Sequence, residues 1–502
     1  MSAEKNHVPH FSKPTNQTPK SFKRPIWINL IILTFPIAIY LLFQQLSVSI
    51  DFYIIGNEPN SSTNLDKTIS YMAQIKKILQ SVAIALGGAG VILVAREYKK
   101  KNFTKAKQYA TLAFLLAIIS SLFFLLVLGL GVLLPAPFGD IFLNKSYRSQ
   151  NGLTYYYLIL ITFVAITINA VFIGLERAKE KTRFVLILNI CLIITRISIS
   201  FAFKAIKQNQ VNLIDLALSD LIANLLLTLV TFYCMFSSKN IFKLQLKNLV
   251  FSKRTVKTIL KLAGTLIIAK STYEIGKLII LDMMDNYFTK AQENLVDIFG
   301  FVMAVNGIFY AISNSFEDSQ SAIVSQSVTF QSNSKTFKIF KNIVVITFII
   351  GIIGVFINQF CGEQLLRVLK PEKDFTKKEI TSFKEILNWE QTSLFFSVWT
   401  SLMMGYVVSY KKNANLIFVI NLLRVVLRIT ILWFLHDILP QLNLDVSISD
   451  ATQCGLSTFG SNIIVFFTTT YLFYSFLRQN KTNQIPRFKK NKNNALQTKT
   501  IN

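Results

Sequence analysis

Acidic residues are scarce: 26 Asp and Glu stand against 53 Lys and Arg, for a net charge of +27 in 502 residues. Charge of either sign is thin. Only 16% of residues are charged, against roughly 25% in a soluble chain. With a mean hydropathy of +0.45, this composition excludes an ordinary soluble globular fold. Histidine and cysteine are rarer still. His7, His10 and His436 are scattered, and Cys191, Cys234, Cys361 and Cys454 lie far apart without a CxxC spacing. Neither a disulfide framework nor a zinc site is expected from such a pattern. No Walker motif occurs. Gly87-Gly88-Ala89-Gly90 lacks the GK[ST] ending and sits inside an apolar run, where close helix packing explains it. No cofactor, ATP-driven step or enzymatic reaction is read from the chain.

What the sequence has in abundance is apolar length. Twelve segments are long enough to cross a bilayer, at roughly 26–49, 70–95, 110–134, 154–175, 183–206, 212–236, 256–281, 296–322, 339–358, 392–410, 414–435 and 454–477. The eighth is interrupted by Asn306, Asn314, Glu317 and Asp318. The first lacks a small-residue cleavage site and exceeds the length of a signal h-region, so no cleavable leader is expected.

The basic excess falls in short clusters between these segments, which argues for cytoplasmic loops and against nucleic acid. Every even-numbered connection is basic: Arg96 to Lys107, Arg177 to Arg183, Lys239 to Lys257, Lys335 to Lys341, and Lys411 with Lys412. Both tails are basic too. The positive-inside rule therefore predicts a multi-pass protein of the cell membrane with both termini cytoplasmic. The connection 359–391 balances its charges and is predicted to be an outer loop holding a short interfacial or solvated helix. By composition the tails are expected to be disordered and to touch anionic lipid.

The first segment, PIWINLIILTFPIAIYLLFQQLSVSID, carries one polar face. At about 100° per residue, Pro36, Tyr40, Gln44, Ser47 and Asp51 fall within roughly 80° of one another. Such a face cannot point at hydrocarbon, so it must meet protein or a water-filled cavity. The chain also repeats. Asn189–x6–Arg196–Ile–Ser–Ile returns as Asn421–x6–Arg428–Ile–Thr–Ile, and ILVAR ending at Arg96 aligns with AIVSQ ending at Gln326. A repeat of about 230 residues with an even number of helices keeps both copies in one orientation, with a substrate path between them. The predicted architecture is all-α and polytopic: a tail at 1–24, a six-helix bundle at 25–236, a linker at 237–255, a second bundle at 256–477 and a tail at 478–502.

The first half resembles the multidrug and toxic compound extrusion (MATE) transporters, within the wider superfamily that includes polysaccharide and lipid-linked flippases. The resemblance rests on Pro36, Gln44 and Asp51 followed by FYIIG, on IALGGAGVILVAREYKKKNFTKAK at 84–107, and on VFIGLERAKEKTRF leading into the fifth segment. It implies about twelve helices in two pseudo-symmetric bundles and an antiporter that exports drugs in exchange for H+ or Na+. Two positions depart from the family pattern. Arg196 stands where many members carry an acid, and Glu274 is about two residues from the glutamate of sodium-coupled members.

Charges inside the membrane are expensive, at least about 2.5–3.5 kcal/mol each, and are site candidates by default. Asp51 is read either as a protonatable cavity group or as a helix-end residue. Lys270, Glu274 and Lys277 form one stripe, either self-neutralising or part of the coupling. Arg196 and Arg428, with Arg424 one turn away, either pair with acids such as Asp51, Glu274 or Glu317, or face the cavity and attract anionic cargo. The leading expectation is cation-coupled multidrug efflux by a monomer acting on a small or amphiphilic molecule. The alternatives are a flippase for a lipid-linked or other anionic amphiphile and a non-transporting scaffold.

Overall fold

In hydrocarbon every backbone N–H and C=O must find its partner within its own segment, and the apolar runs meet that demand as helices. The computed structural model describes residues 63–482 apart from 136–137, 145–147, 149, 180, 208–210, 239, 245–252, 289–294, 331–332, 370–374, 412–414 and 443–447, together with scattered residues between 28 and 54. Among the described residues eleven long α-helices follow one another: α1 (Thr63–Lys99), α2 (Phe103–Gly131), α3 (Gln150–Ala178), α4 (Thr182–Ile206), α5 (Leu213–Phe236), α6 (Lys253–Tyr287), α7 (Leu295–Phe330), α8 (Asn333–Leu369), α9 (Lys377–Lys411), α10 (Asn415–Trp433) and α11 (Asp450–Thr482). α1 answers to the second apolar segment. The described residues of the first segment are helical as well, but Pro36, Tyr40, Gln44, Ser47 and Asp51 lie outside the described residues. No strand occurs among the described residues. Among the described residues, ten helices are long and apolar enough to cross a membrane. α6, with its lysines and acids, is not among them. This is an all-α, multi-pass membrane architecture.

Local chemistry sets the helix starts. Thr376 Oγ1 accepts from the Glu379 amide at 3.2 Å, while the Glu379 carboxylate accepts from the Thr376 amide at 2.8 Å, a reciprocal capping box that opens α9. Asp215 accepts from the Asn212 amide at 2.9 Å to open α5. The Thr452 amide donates to Ser449 Oγ at 3.1 Å at the head of α11.

The predicted outer loop 359–391 is corrected by the structure. α8 continues to Leu369 and α9 begins at Lys377, so most of that stretch is two helix ends rather than a loop. Its balanced charges pair across them: Glu363 meets Arg367 at 3.1 Å and Lys384 at 2.8 Å. Hydropathy marks only the apolar part of a helix, and these ends are polar.

Packing repeats with a shift of six helices. In the first bundle α1 packs on α2 and α3, α3 on α2, α4 and α5, and α4 on α5. In the second, α7 packs on α8 and α9, α9 on α8, α10 and α11, and α10 on α11. α1 and α7 begin 232 residues apart, and α2 and α8 begin 230 apart, which matches the offset of the sequence repeat. α1 and α3 touch backbone to backbone: a Cβ on Gly87 would lie 2.9 Å from the Ala170 carbonyl oxygen, and one on Gly174 would lie 3.0 Å from that of Gly87. Small residues permit such approach where lipid supplies no hydrophobic drive. Apolar side chains such as Phe123, Leu126 and Leu130 on α2 are exposed, as a hydrocarbon-facing surface requires.

The two bundles meet mainly along α1, which packs on α6 and α7. Ser81 and Ser271 hydroxyls lie 3.4 Å apart across this seam. Gln45, from the first segment, donates to the Met303 and Ala304 carbonyls at 3.3 and 3.2 Å.

Candidate functional site

The seam between the bundles is not filled. A chamber of about 950 Å3 lies between α1, α6 and α10, lined among others by Lys77, Lys270, Tyr273, Glu274, Tyr310 and Arg424. It shares Lys77, Tyr273, Glu274 and Tyr310 with a second chamber of about 730 Å3, which reaches into the C-terminal bundle past Glu390, Ser397 and Arg428. A third, of about 600 Å3, adjoins the second at Gln45, Lys77, Lys277, Met303 and Arg428. A fourth, of about 820 Å3, adjoins the first at Ile84, Lys270, Glu317 and Ile417, and is mostly apolar.

The charge in these chambers is lopsided. Six cations line them, Lys77, Arg177, Lys270, Lys277, Arg424 and Arg428, against the carboxylates Glu274, Glu317 and Glu390. Glu274 and Glu390 have cationic neighbours. Glu274 pairs with Lys277 at 3.3 Å and accepts from Gln74 Nε2 at 3.1 Å. Glu390 lies 3.5 Å from Arg428. Among the described residues, Lys77, Lys270 and Arg424 make no ion pair. Arg424 is 3% exposed, and its Nε and Nη2 have no hydrogen-bond partner. Its guanidinium lies 5.1 Å from the Tyr273 ring centroid, which lends a cation–π contact but no counter-charge.

The expected site residues thus divide. Lys270, Glu274, Lys277 and Arg428 come together around the chambers. Arg196 lines none of the four. It is buried in the N-terminal bundle, where its Nε donates to Asp220 at 2.7 Å. Lys76 also pairs with Asp220. The repeat arginines therefore find different acids on different neighbours: Arg196 meets α5, and Arg428 meets α9. In the sequence Lys77 stands near the outer start of the second apolar segment, where a lysine can snorkel, and Glu390 falls in the predicted loop 359–391; the structure places both on the chambers. A one-turn step from Gln74 to Lys77 and a longer α9 are the signals that would have found them.

No curated protein matches the chain by sequence. Residues 36–202 match the MatE family model. The fold is similar to that of an outward-facing multidrug resistance MATE transporter of the MOP superfamily, with TM-score 0.75 and 12% identity over 93% of this chain and 100% of that one. It is also similar to a MATE crystallised with MaL6, with TM-score 0.72 and 14% identity over 92% and 100%. A MOP superfamily transporter from Pyrococcus furiosus, described as having a binding pocket of reversed polarity, matches with TM-score 0.71 and 13% identity over 91% and 99%. Residues 36–202 thus match the MatE family model, and the chain as a whole is a multi-pass membrane protein with the fold of these MATE structures.

Proposed function

We propose that this chain carries an anionic amphiphile across the cell membrane by alternating access between its two bundles, with both termini cytoplasmic. The observation that carries the reading is the chamber lined by Lys77, Lys270 and Arg424, three cations without an ion-pair partner among the described residues. An unpaired buried charge costs several kcal/mol, and an anionic group on the cargo would offset that cost. A cationic drug entering the same space would meet repulsion. The adjoining apolar chamber suits a hydrocarbon portion.

The test is transport in proteoliposomes with two reporters, a short-chain fluorescent phosphodiester lipid and ethidium. The wild type is expected to move the phosphodiester, and Arg424→Gln to slow it at least tenfold. Movement of ethidium alone would overturn the reading. The second reading, efflux of cationic drugs driven by H+ or Na+, is favoured by Glu274 and Glu317, which line the same chambers. It requires that ethidium export stop when the imposed ion gradient is collapsed.

A further inference from the structure

The chamber reaching into the C-terminal bundle is polar but holds little net charge, and its polar atoms are left open. Glu390, Ser397, Thr458 and Asn462 all line it and are each less than 10% exposed. Glu390 Oε1, Ser397 Oγ, Thr458 Oγ1 and Asn462 Oδ1 have no hydrogen-bond partner. The orientation of Asn462 is fixed by a chain of bonds: its Nδ2 donates to Ser393 Oγ at 2.5 Å, and Ser393 Oγ donates to the Thr458 carbonyl at 3.5 Å. Its Oδ1 is therefore held as a free acceptor. Arg428 supplies the complement, with Nε and Nη2 unpartnered and Nη2 only 3.5 Å from Glu390 Oε1. Buried polar atoms are nearly always satisfied, so so many open ones around a single void call for an occupant.

We infer that this chamber receives a polyhydroxylated head group, a sugar or cyclic polyol, on the cargo. A hydroxyl is both donor and acceptor. Beside Arg428 and Glu390, ring hydroxyls accept from the open guanidinium N–H groups and donate to the carboxylate. Neighbouring hydroxyls on a ring then meet Thr458, Ser397 and Asn462. Tyr273 and Tyr310 line the shared border with the basic chamber, and their rings suit the C–H face of such a ring. A metal cation is a poorer occupant, because the Arg428 guanidinium sits beside the carboxylate that would have to bind it. The assignment rests on the proposal that the cavity between the bundles holds an anionic amphiphile: head group in this chamber, anion at Lys77, Lys270 and Arg424, tail toward the apolar chamber.

The test is isothermal titration of the full-length protein in nanodiscs with two probes of equal charge and equal tails. Dihexanoyl phosphatidylinositol carries a ring of hydroxyls, and dihexanoyl phosphatidylmethanol carries none. The inositol probe is expected to bind at least tenfold more tightly. Thr458→Val should remove most of that preference while leaving the methanol probe unchanged, and Glu390→Gln should narrow the preference between the two probes as well. Thr458→Val conserves side-chain volume and so reports even where Glu390→Gln fails to fold. Arg424→Gln should weaken both probes alike. Equal binding of the two probes would overturn the head-group chamber and leave the anionic reading standing. Indifference of both probes to Arg424→Gln would overturn the anionic reading and this inference with it. Stabilisation by Na+ that Glu390→Gln abolishes, with no preference between probes, would give these oxygens to a cation and overturn the proposal.

Discussion

Asp220 shows how buried charge divides the two halves of the molecule. A single carboxylate on α5 serves both Arg196 and Lys76. Arg196 is 5% exposed, so removing the Asp220 carboxylate takes a counter-charge from a cation in a low-dielectric interior. Asp220→Asn is expected to cost about 3–5 kcal/mol, visible as a large drop in the thermal unfolding midpoint of the purified protein. Replacing Asp220, Arg196 and Lys76 together by Leu should recover most of it, since an apolar set of similar size needs no counter-charge. A midpoint for Asp220→Asn equal to that of the wild type would refute the account. The sequence made Arg196 conspicuous as an arginine in an apolar segment, yet it could not name its partner. Helical periodicity tells which face a residue occupies, not which helix that face meets. Asp220 lies 24 residues away on the next helix, and only packing brings it within reach. Glu390 escaped notice for a different reason: it precedes the apolar window of its helix by two residues.

At the scale of the element, the helices were legible as apolar runs, and their ends were not. Hydropathy found the lipid-crossing middle of α8 and α9, while capping by Thr376 and Glu379 and the pairing of Glu363 with Lys384 carry both helices well past it. Thr376→Ala should cost about 1 kcal/mol, measurable as a lower midpoint in thermal unfolding. The glycine run of α1 was legible as a packing feature, and the structure shows which glycine carries it. Gly87→Val drives a branched side chain into the Ala170 carbonyl, and overpacking of this kind costs about 1–3 kcal/mol or more. Its yield of monodisperse protein in size-exclusion chromatography is expected to fall sharply. Gly88 has nothing within 4 Å of an added Cβ, so Gly88→Ala should elute like the wild type and serves as the control.

At the scale of the whole molecule, the repeat was legible because two copies of one pattern sit about 230 residues apart, and helix order then dictates the pairing. The cavity was not, because it belongs to neither copy: it arises where α1 leans on α6 and α7. If the bundles rock against each other, that seam must slide. Ser81 and Ser271 face each other across it at 3.4 Å. In a background with Cys191, Cys234, Cys361 and Cys454 replaced, Ser81→Cys with Ser271→Cys should form a disulfide under oxidation and stop transport, and reduction should restore it. Unimpaired transport by the crosslinked protein would show that the seam does not move. The two copies have also diverged in what their arginines are for. The N-terminal copy spends Arg196 on its own interior, and the C-terminal copy turns Arg428 and Arg424 toward the opening. Lys77 of the N-terminal half still faces the same opening as Lys270 and Arg424, so a stroke that parts the halves would pull the three cations asunder and loosen whatever they grip together.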